Sequence, residues 1–292
     1  MRFYNTILDG TLTPCVAFEC GGKLFPLSLF GLDFECVEDV ITSITDAQLE
    51  ALKNAKIPGD GIDESGAELL SPIRRPAQDV ICLGINYMEH ARESFKYKKE
   101  EFNGERPYAV YFAKRVNEAV APCGEIDAHA DITKQLDYET ELAVILRRDA
   151  KNVSAADAKN YVFGYTILND VSARDIQNRH KQWYFGKSLD GCTPIGPCVV
   201  TADEFAFPPA LGIRSYVNGK LRQQSNTSQM IFDIPFVIEE LSRGMTLRAG
   251  TIISTGTPSG VGMGMTPPTF LNIGDEVVCE IDEIGKICNI IK

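Results

Sequence analysis

Several things are missing from this chain of 292 residues, and each absence removes a class of function. No Cys-x-x-Cys pair occurs among its nine cysteines (15, 20, 36, 82, 123, 192, 198, 279, 288), which are odd in number and scattered among apolar neighbours. That pattern excludes a disulfide framework or a zinc site and suits free thiols in a reducing compartment. The longest basic run is the short Lys96-Tyr97-Lys98-Lys99 cluster, and the formal net charge is −11. A polyphosphate would be repelled on average, so nucleic acid is excluded as a partner, while a locally positive pocket can still take a small anion. No apolar stretch approaches the length of a membrane span, and the first residues carry no apolar targeting segment, so the expected location is cytoplasmic. No Gly-Lys-Ser/Thr phosphate motif is present.

What is present is an ordinary globular composition, 44% hydrophobic and 24% charged, enough to bury a large core. Strand patterns fall at 2–8, 15–19, 23–28, 79–84, 108–113, 139–146, 198–201, 213–217, 251–254 and 276–281. Helices are expected at 46–55, where Thr45 or Asp46 can cap, at 86–98, at 154–160, and at 232–243, with Asp233 near its start and Pro235 in its first turn. Strands and helices do not alternate regularly, which argues against a doubly wound sheet and for a β-rich α+β fold. The proline-rich connector 70–76 separates a small N-terminal subdomain, 1–71, from a larger domain, 72–292.

Chemistry is concentrated in a few short stretches. In Leu136-Asp137-Tyr138-Glu139-Thr140-Glu141-Leu142, period-2 alternation sends Glu139 and Glu141 to one face of a strand. Two buried anions side by side need a cation, and a hard divalent ion with a preference for oxygen is the natural one; a wet edge strand is the plainer alternative. Asp170 ends the apolar run 165–168 and can supply a third oxygen ligand, or cap the helix that follows. Mg²⁺, Mn²⁺ or Ca²⁺ would suit such a set. Arg174 and Gln177 share a face of that helix, where the arginine fork can hold a substrate carboxylate or pair with the acidic cluster. His90 and Glu93, at i and i+3, form the outline of a general-base dyad, or else a surface pair. Lys187, expected on a loop, can stabilise an oxyanion. The stretch 254–262, Ser-Thr-Gly-Thr-Pro-Ser-Gly-Val-Gly, offers backbone N–H groups and the Thr255 and Thr257 hydroxyls to an anion of unspecified kind.

The order and wording of five blocks resemble the fumarylacetoacetate hydrolase family. They are Gly84-Ile85-Asn86-Tyr87-Met88-Glu89-His90; Asp137-Tyr138-Glu139-Thr140-Glu141-Leu142; Gly164-Tyr165 with 169–175; 186–190 with Pro194-Ile195-Gly196-Pro197; and 255–262. The resemblance runs from Ile73 to the C-terminus. It implies a mixed β-sandwich roll, usually dimeric, with a divalent ion, commonly Mg²⁺, held by Glu139, Glu141 and Asp170. It further implies a water-activating dyad of His90 and Glu93 on a lid segment, an active-site lysine at Lys187, and Arg174 and Gln177 near substrate and metal, while Thr257 is expected to bind substrate from the 254–262 stretch. The expected activity is hydrolysis of a C–C bond in a small acylpyruvate-like or β-diketo acid. A 2-oxo acid lyase such as an oxaloacetate decarboxylase, or an isomerase or hydratase of 2-oxo dienoic acids, would use the same site. A non-catalytic ligand-binding module is the more remote alternative.

Overall fold

A computed structural model describes all residues except Cys20, Pro58 and Arg106. The chain opens with a meander, β1 (Arg2–Leu8), β2 (Thr11–Ala17) and β3 (Lys23–Pro26), followed by helices α1 (Val37–Ser43) and α2 (Asp46–Lys53) and short strands β4 (Ile62–Asp63) and β5 (Glu68–Leu70). After the proline connector come β6 (Val80–Gly84), α3 (Met88–Lys98), β7 (Val110–Lys114), β8 (Glu125–Ile126), β9 (Leu136–Asp137) and β10 (Thr140–Leu146). The middle holds β11 (Val162–Asn169), β12 (Ser172–Ala173), α4 (Arg174–Arg179), the one-turn α5 (Tyr184–Lys187) and β13 (Ile195–Thr201). The chain ends with β14 (Gly212–Val217), β15 (Lys220–Asn226), α6 (Ile234–Gly244), β16 (Ile252–Ser254), β17 (Glu276–Ile281) and β18 (Gly285–Ile291).

Two sheets form a mixed β-sandwich roll. One has 11 strands in the order β4-β3-β2-β1-β13-β11-β10-β16-β6-β7 with β5 on β1, and the other has five in the order β15-β14-β17-β18-β8. Strand β1 pairs antiparallel with β13, so the N-terminal meander extends the sheet of the larger part. Along β10 the alternation predicted from period 2 is visible as two cores. Leu142, Val144 and Leu146 pack with Ile213, Val277 and Ile281 of the second sheet, whereas Ala143 and Ile145 pack with Val37, Val40 and Ile41 of α1. A strand buried on both faces cannot present carboxylates to water, and Glu139 and Glu141 are both buried. The wet-edge alternative is therefore excluded.

The helices start where local chemistry allows. At α2, Thr45 Oγ1 accepts from Gln48 N (3.2 Å) and Gln48 Oε1 accepts from Thr45 N (2.9 Å), which satisfies two otherwise orphaned N–H groups. At α6, Asp233 accepts from Phe236 N (2.9 Å), and Ile234, Val237, Ile238 and Leu241 make one buried stripe. Helix α1 has no local cap; Asn5, on β1, accepts from Val37 N at 2.9 Å. The helix expected at 154–160 is instead a turn followed by a 3₁₀ segment, Ala158–Tyr161, because the Ser154 and Asp157 side chains bond each other (2.6 Å) and hold the turn. No helix among the described residues is long and apolar enough to cross a membrane.

Candidate metal and acid–base site

The site lies where β10 and β11 end and α3, α4 and α5 close over them. Thr140 pairs with Asn169 at the last register of the two strands, so Glu139 and Asp170, one residue outside each strand end, are brought together; Asp170 N donates to Glu139 O at 2.9 Å. Carboxylate oxygens of Glu139, Glu141 and Asp170 lie within 4.8 Å of one another, all buried. Asp170 Oδ1 receives no hydrogen bond from the described residues, although Lys114 Nζ lies 2.9 Å away as an ion pair. Three converging hard oxygen donors, one without a hydrogen bond, fit a divalent cation.

Three buried cations brace the cluster. Arg174 uses its whole fork inward: Nε to Asp137 Oδ2 (2.9 Å), Nη1 to Gln177 Oε1 (3.1 Å) and Nη2 to Glu139 Oε1 (2.6 Å). Of the two roles considered for it, pairing with the acidic cluster is the one seen. Lys187 bridges Glu139 Oε2 (2.5 Å) and Asp170 Oδ2 (2.6 Å) from α5, a helical turn where a loop was expected. Lys114, which the sequence reading passed over, is fully buried and donates to the carbonyls of Val171 (2.9 Å) and Lys187 (2.5 Å). Its signal was available: a lone charge closing the apolar strand β7. Asp137 was also missed, though it shares the parity of Glu139 and Glu141. Asp170 does not cap the following helix; α4 begins four residues later, at Arg174, and Asp170 faces the lysines instead.

These surroundings pull the carboxylates apart in acidity. Burial opposes ionisation of Glu139, but Arg174 and Lys187 outweigh it and hold that carboxyl below its ordinary range. Burial, reinforced by the charges of Asp170 and Glu139, pushes Glu141 well above its usual range. Burial also works against the charge of Lys187, yet Asp170 and Glu139 prevail and raise its pKa, so it stays an ammonium.

The glycine-rich stretch does bind anions, and they are the protein's own. Gly256 N donates to Glu141 Oε2 (2.9 Å), Gly260 N to Glu93 Oε1 (3.0 Å), and Gly262 N and Met263 N to Asp137 (2.7 and 3.0 Å). At Gly260 a Cβ would lie 2.0 Å from the Arg222 carbonyl oxygen, with φ at +104°, so only glycine allows that N–H to reach Glu93. The hydroxyls do not face outward as expected. Thr255 Oγ1 donates to Leu142 O (2.8 Å) and Thr257 Oγ1 to Thr140 O (2.9 Å), fastening the loop to β10.

His90 and Glu93 are not a surface pair. His90 is 4% exposed, and its Nδ1 lies 3.1 Å from Glu93 Oε2. A carboxylate can only accept, so Nδ1 carries the proton and Nε2, without a hydrogen-bond partner among the described residues, is the basic nitrogen. His90, Glu139, Glu141, Arg174, Gln177, Lys187 and Thr257 all line one cavity of about 30 Å³, roofed by α3 and Trp183. A carboxylate cluster, a fixed ammonium and an oriented imidazole thus face one cavity.

Comparison with known proteins agrees with this arrangement. Residues 79–292 match the family model described as fumarylacetoacetate (FAA) hydrolase C-terminal. The chain is 42% identical over 273 residues to the oxaloacetate tautomerase YisK of Bacillus subtilis (strain 168), covering 91% of this chain and 89% of that protein. It is 38% identical over 294 residues to the mitochondrial oxaloacetate tautomerase fahd2 of Xenopus laevis, covering 99% and 89%. Among solved structures, the fumarylacetoacetate hydrolase of the psychrophile Exiguobacterium antarcticum superposes with a TM-score of 0.81 at 36% identity, covering 100% and 99% of the two chains. Sequence, fold and a buried acidic cluster at the strand ends converge, and the chain belongs to the fumarylacetoacetate hydrolase family.

Proposed function

We propose that the chain is a divalent-metal-dependent enzyme that interconverts the keto and enol forms of a small 2-oxo acid of the oxaloacetate class. One observation carries this reading: a single cavity is lined both by the glutamates of the metal cluster and by the paired imidazole of His90. Similarity to two oxaloacetate tautomerases supports it further.

A divalent cation, Mg²⁺ or Mn²⁺, held by Glu139, Glu141 and Asp170 would draw charge onto the 2-oxo oxygen and so acidify the neighbouring C–H. His90 Nε2 takes that proton and returns it to oxygen or carbon. Glu93 keeps the ring in the competent tautomer, and Gly260 N keeps Glu93 in place. Arg174 and Lys187 fix the Glu139 and Asp170 carboxylates, and Lys187 adds positive charge beside the developing enolate. The absence of disulfides among the eight described cysteines supports a cytoplasmic setting. A homodimer is the assembly we propose from the family.

The test is to add oxaloacetate as the enol and follow loss of enol absorbance together with release of carbon dioxide and pyruvate. Mg²⁺-dependent acceleration of enol loss, with no product above background, is expected. No acceleration with Mg²⁺ or Mn²⁺ would overturn the reading, and carbon dioxide released in step with enol loss would make the enzyme a decarboxylase. Acylpyruvate hydrolysis is the second reading, favoured by the His90–Glu93 pair, which is equally able to take a proton from water. Pyruvate released from an acylpyruvate panel would select it.

A further inference from the structure

Among the described residues that line the cavity, Lys98, itself exposed to solvent, is the one cation that the site does not already use. Of the positive side chains lining it, Arg174 has its whole fork engaged and Lys187 sits between two carboxylates. Lys98 has no ion pair with any described carboxylate; its ammonium lies 5.8 Å from the centroid of the Trp183 ring, which lines the same cavity. His90, Ser94, Tyr97 and Lys98 all line the cavity, at i, i+4, i+7 and i+8 on one stripe of α3. Lys98 is about 12 Å along the axis from His90, and helix side chains lean toward the N-terminus, so its long stem reaches back toward the imidazole.

The charge balance says what such a cation is for. With all five ionised, Asp137, Glu139, Glu141, Asp170 and the Glu93 that holds His90 exceed Arg174, Lys187 and Lys114 by two negative charges. A divalent cation would bring this to neutrality, and the ion itself would be the partner of the one substrate carboxylate next to the 2-oxo group. A second carboxylate would enter without a partner. We infer that Lys98 leaves the Trp183 face to bind the second carboxylate of the substrate, making the enzyme selective for dicarboxylic over monocarboxylic 2-oxo acids. This rests on the 2-oxo acid reading of the site and names the substrate class within it.

The experiment uses two ligands that cannot enolise, 3,3-difluorooxaloacetate and 3,3-difluoro-2-oxobutyrate, which differ in a carboxylate against a methyl. Each is titrated calorimetrically into Mg²⁺-loaded wild type, Lys98→Met and Lys98→Arg, with emission of Trp183, the only tryptophan, as a second readout. Wild type should prefer the dicarboxylate, Lys98→Met should lose about 10- to 100-fold of that preference, and Lys98→Arg should keep most of it. Trp183 emission should change with the dicarboxylate alone, as the ammonium leaves the ring. Equal weakening of both ligands in Lys98→Met, or no weakening, would overturn the role of Lys98 while leaving the 2-oxo acid reading intact. Failure of wild type to bind either ligand would remove both together.

Discussion

Arg147 pairs with Asp46 at the surface and Arg174 pairs with Glu139 in the interior, and the two arrangements have little in common beyond residue type. The Asp46 side chain is 72% exposed and the Glu139 side chain 5%. The first pair borders an open cavity of about 840 Å³ that also holds the exposed Lys53–Asp203 pair; the second borders the smaller, more sheltered one of about 30 Å³. Water screens the outer pairs, so each is dispensable. Inside, every charge depends on its neighbours, because a buried ion without a partner is far costlier than the pair is favourable. Size of opening is therefore a poor guide to chemistry here, and desolvated convergence a good one.

The largest effects should separate the two clusters outright. Glu141→Ala should abolish binding of Mg²⁺ or Mn²⁺ and lower turnover by roughly 10⁴ or more, whereas Asp46→Ala should leave both unchanged; calorimetry and the enol assay read the contrast. His90→Ala should lower kcat by roughly 10² to 10⁴ while the metal still binds at full stoichiometry, since the imidazole is not in the carboxylate set. Loss of metal in that variant would break the division between the two halves of the site.

Stability sharpens the comparison next. Arg174→Met leaves Asp137 and Glu139 without their shared partner and should cost about 3 to 5 kcal/mol in denaturant unfolding, while Arg147→Met should cost about 1 kcal/mol or less. Smallest is the pH effect. Because Glu141 is raised in the folded protein, its contribution to metal-free stability is full below the unfolded carboxyl range and is lost as pH rises toward its folded value. Metal binding must displace that proton. Mg²⁺ affinity should therefore rise by up to about tenfold per pH unit until Glu141 is ionised, with proton release seen as a buffer-dependent binding enthalpy. Affinity that is flat or falls with pH would contradict the acidity assigned to Glu141.

Much of this was legible in the residues because its causes are local. Period-2 spacing put Glu139 and Glu141 on one face, Thr45 and Asp233 marked helix starts, and His90 with Glu93 needed only a helical turn to meet. What stayed hidden depends on distant partners. Helix α1 is capped by Asn5 from another strand, and Lys114 reaches Asp170 across 56 positions of chain. Strand β15 is polar along most of its length, being an edge strand, and has no apolar alternation to show. The glycine-rich stretch was readable as an anion binder, but that its anions are Glu141, Glu93 and Asp137 appears only when the loop is folded onto them.

The most direct test of the central claim, that Glu139, Glu141 and Asp170 converge on a single divalent cation, is Mn²⁺ titration followed by electron paramagnetic resonance of the free ion. One tightly held Mn²⁺ per chain in the wild type, absent in Glu141→Ala and in Asp170→Asn but present in His90→Ala, is the predicted result. A wild type that leaves all Mn²⁺ free, or carboxylate variants that bind it as well as the wild type does, would contradict the account.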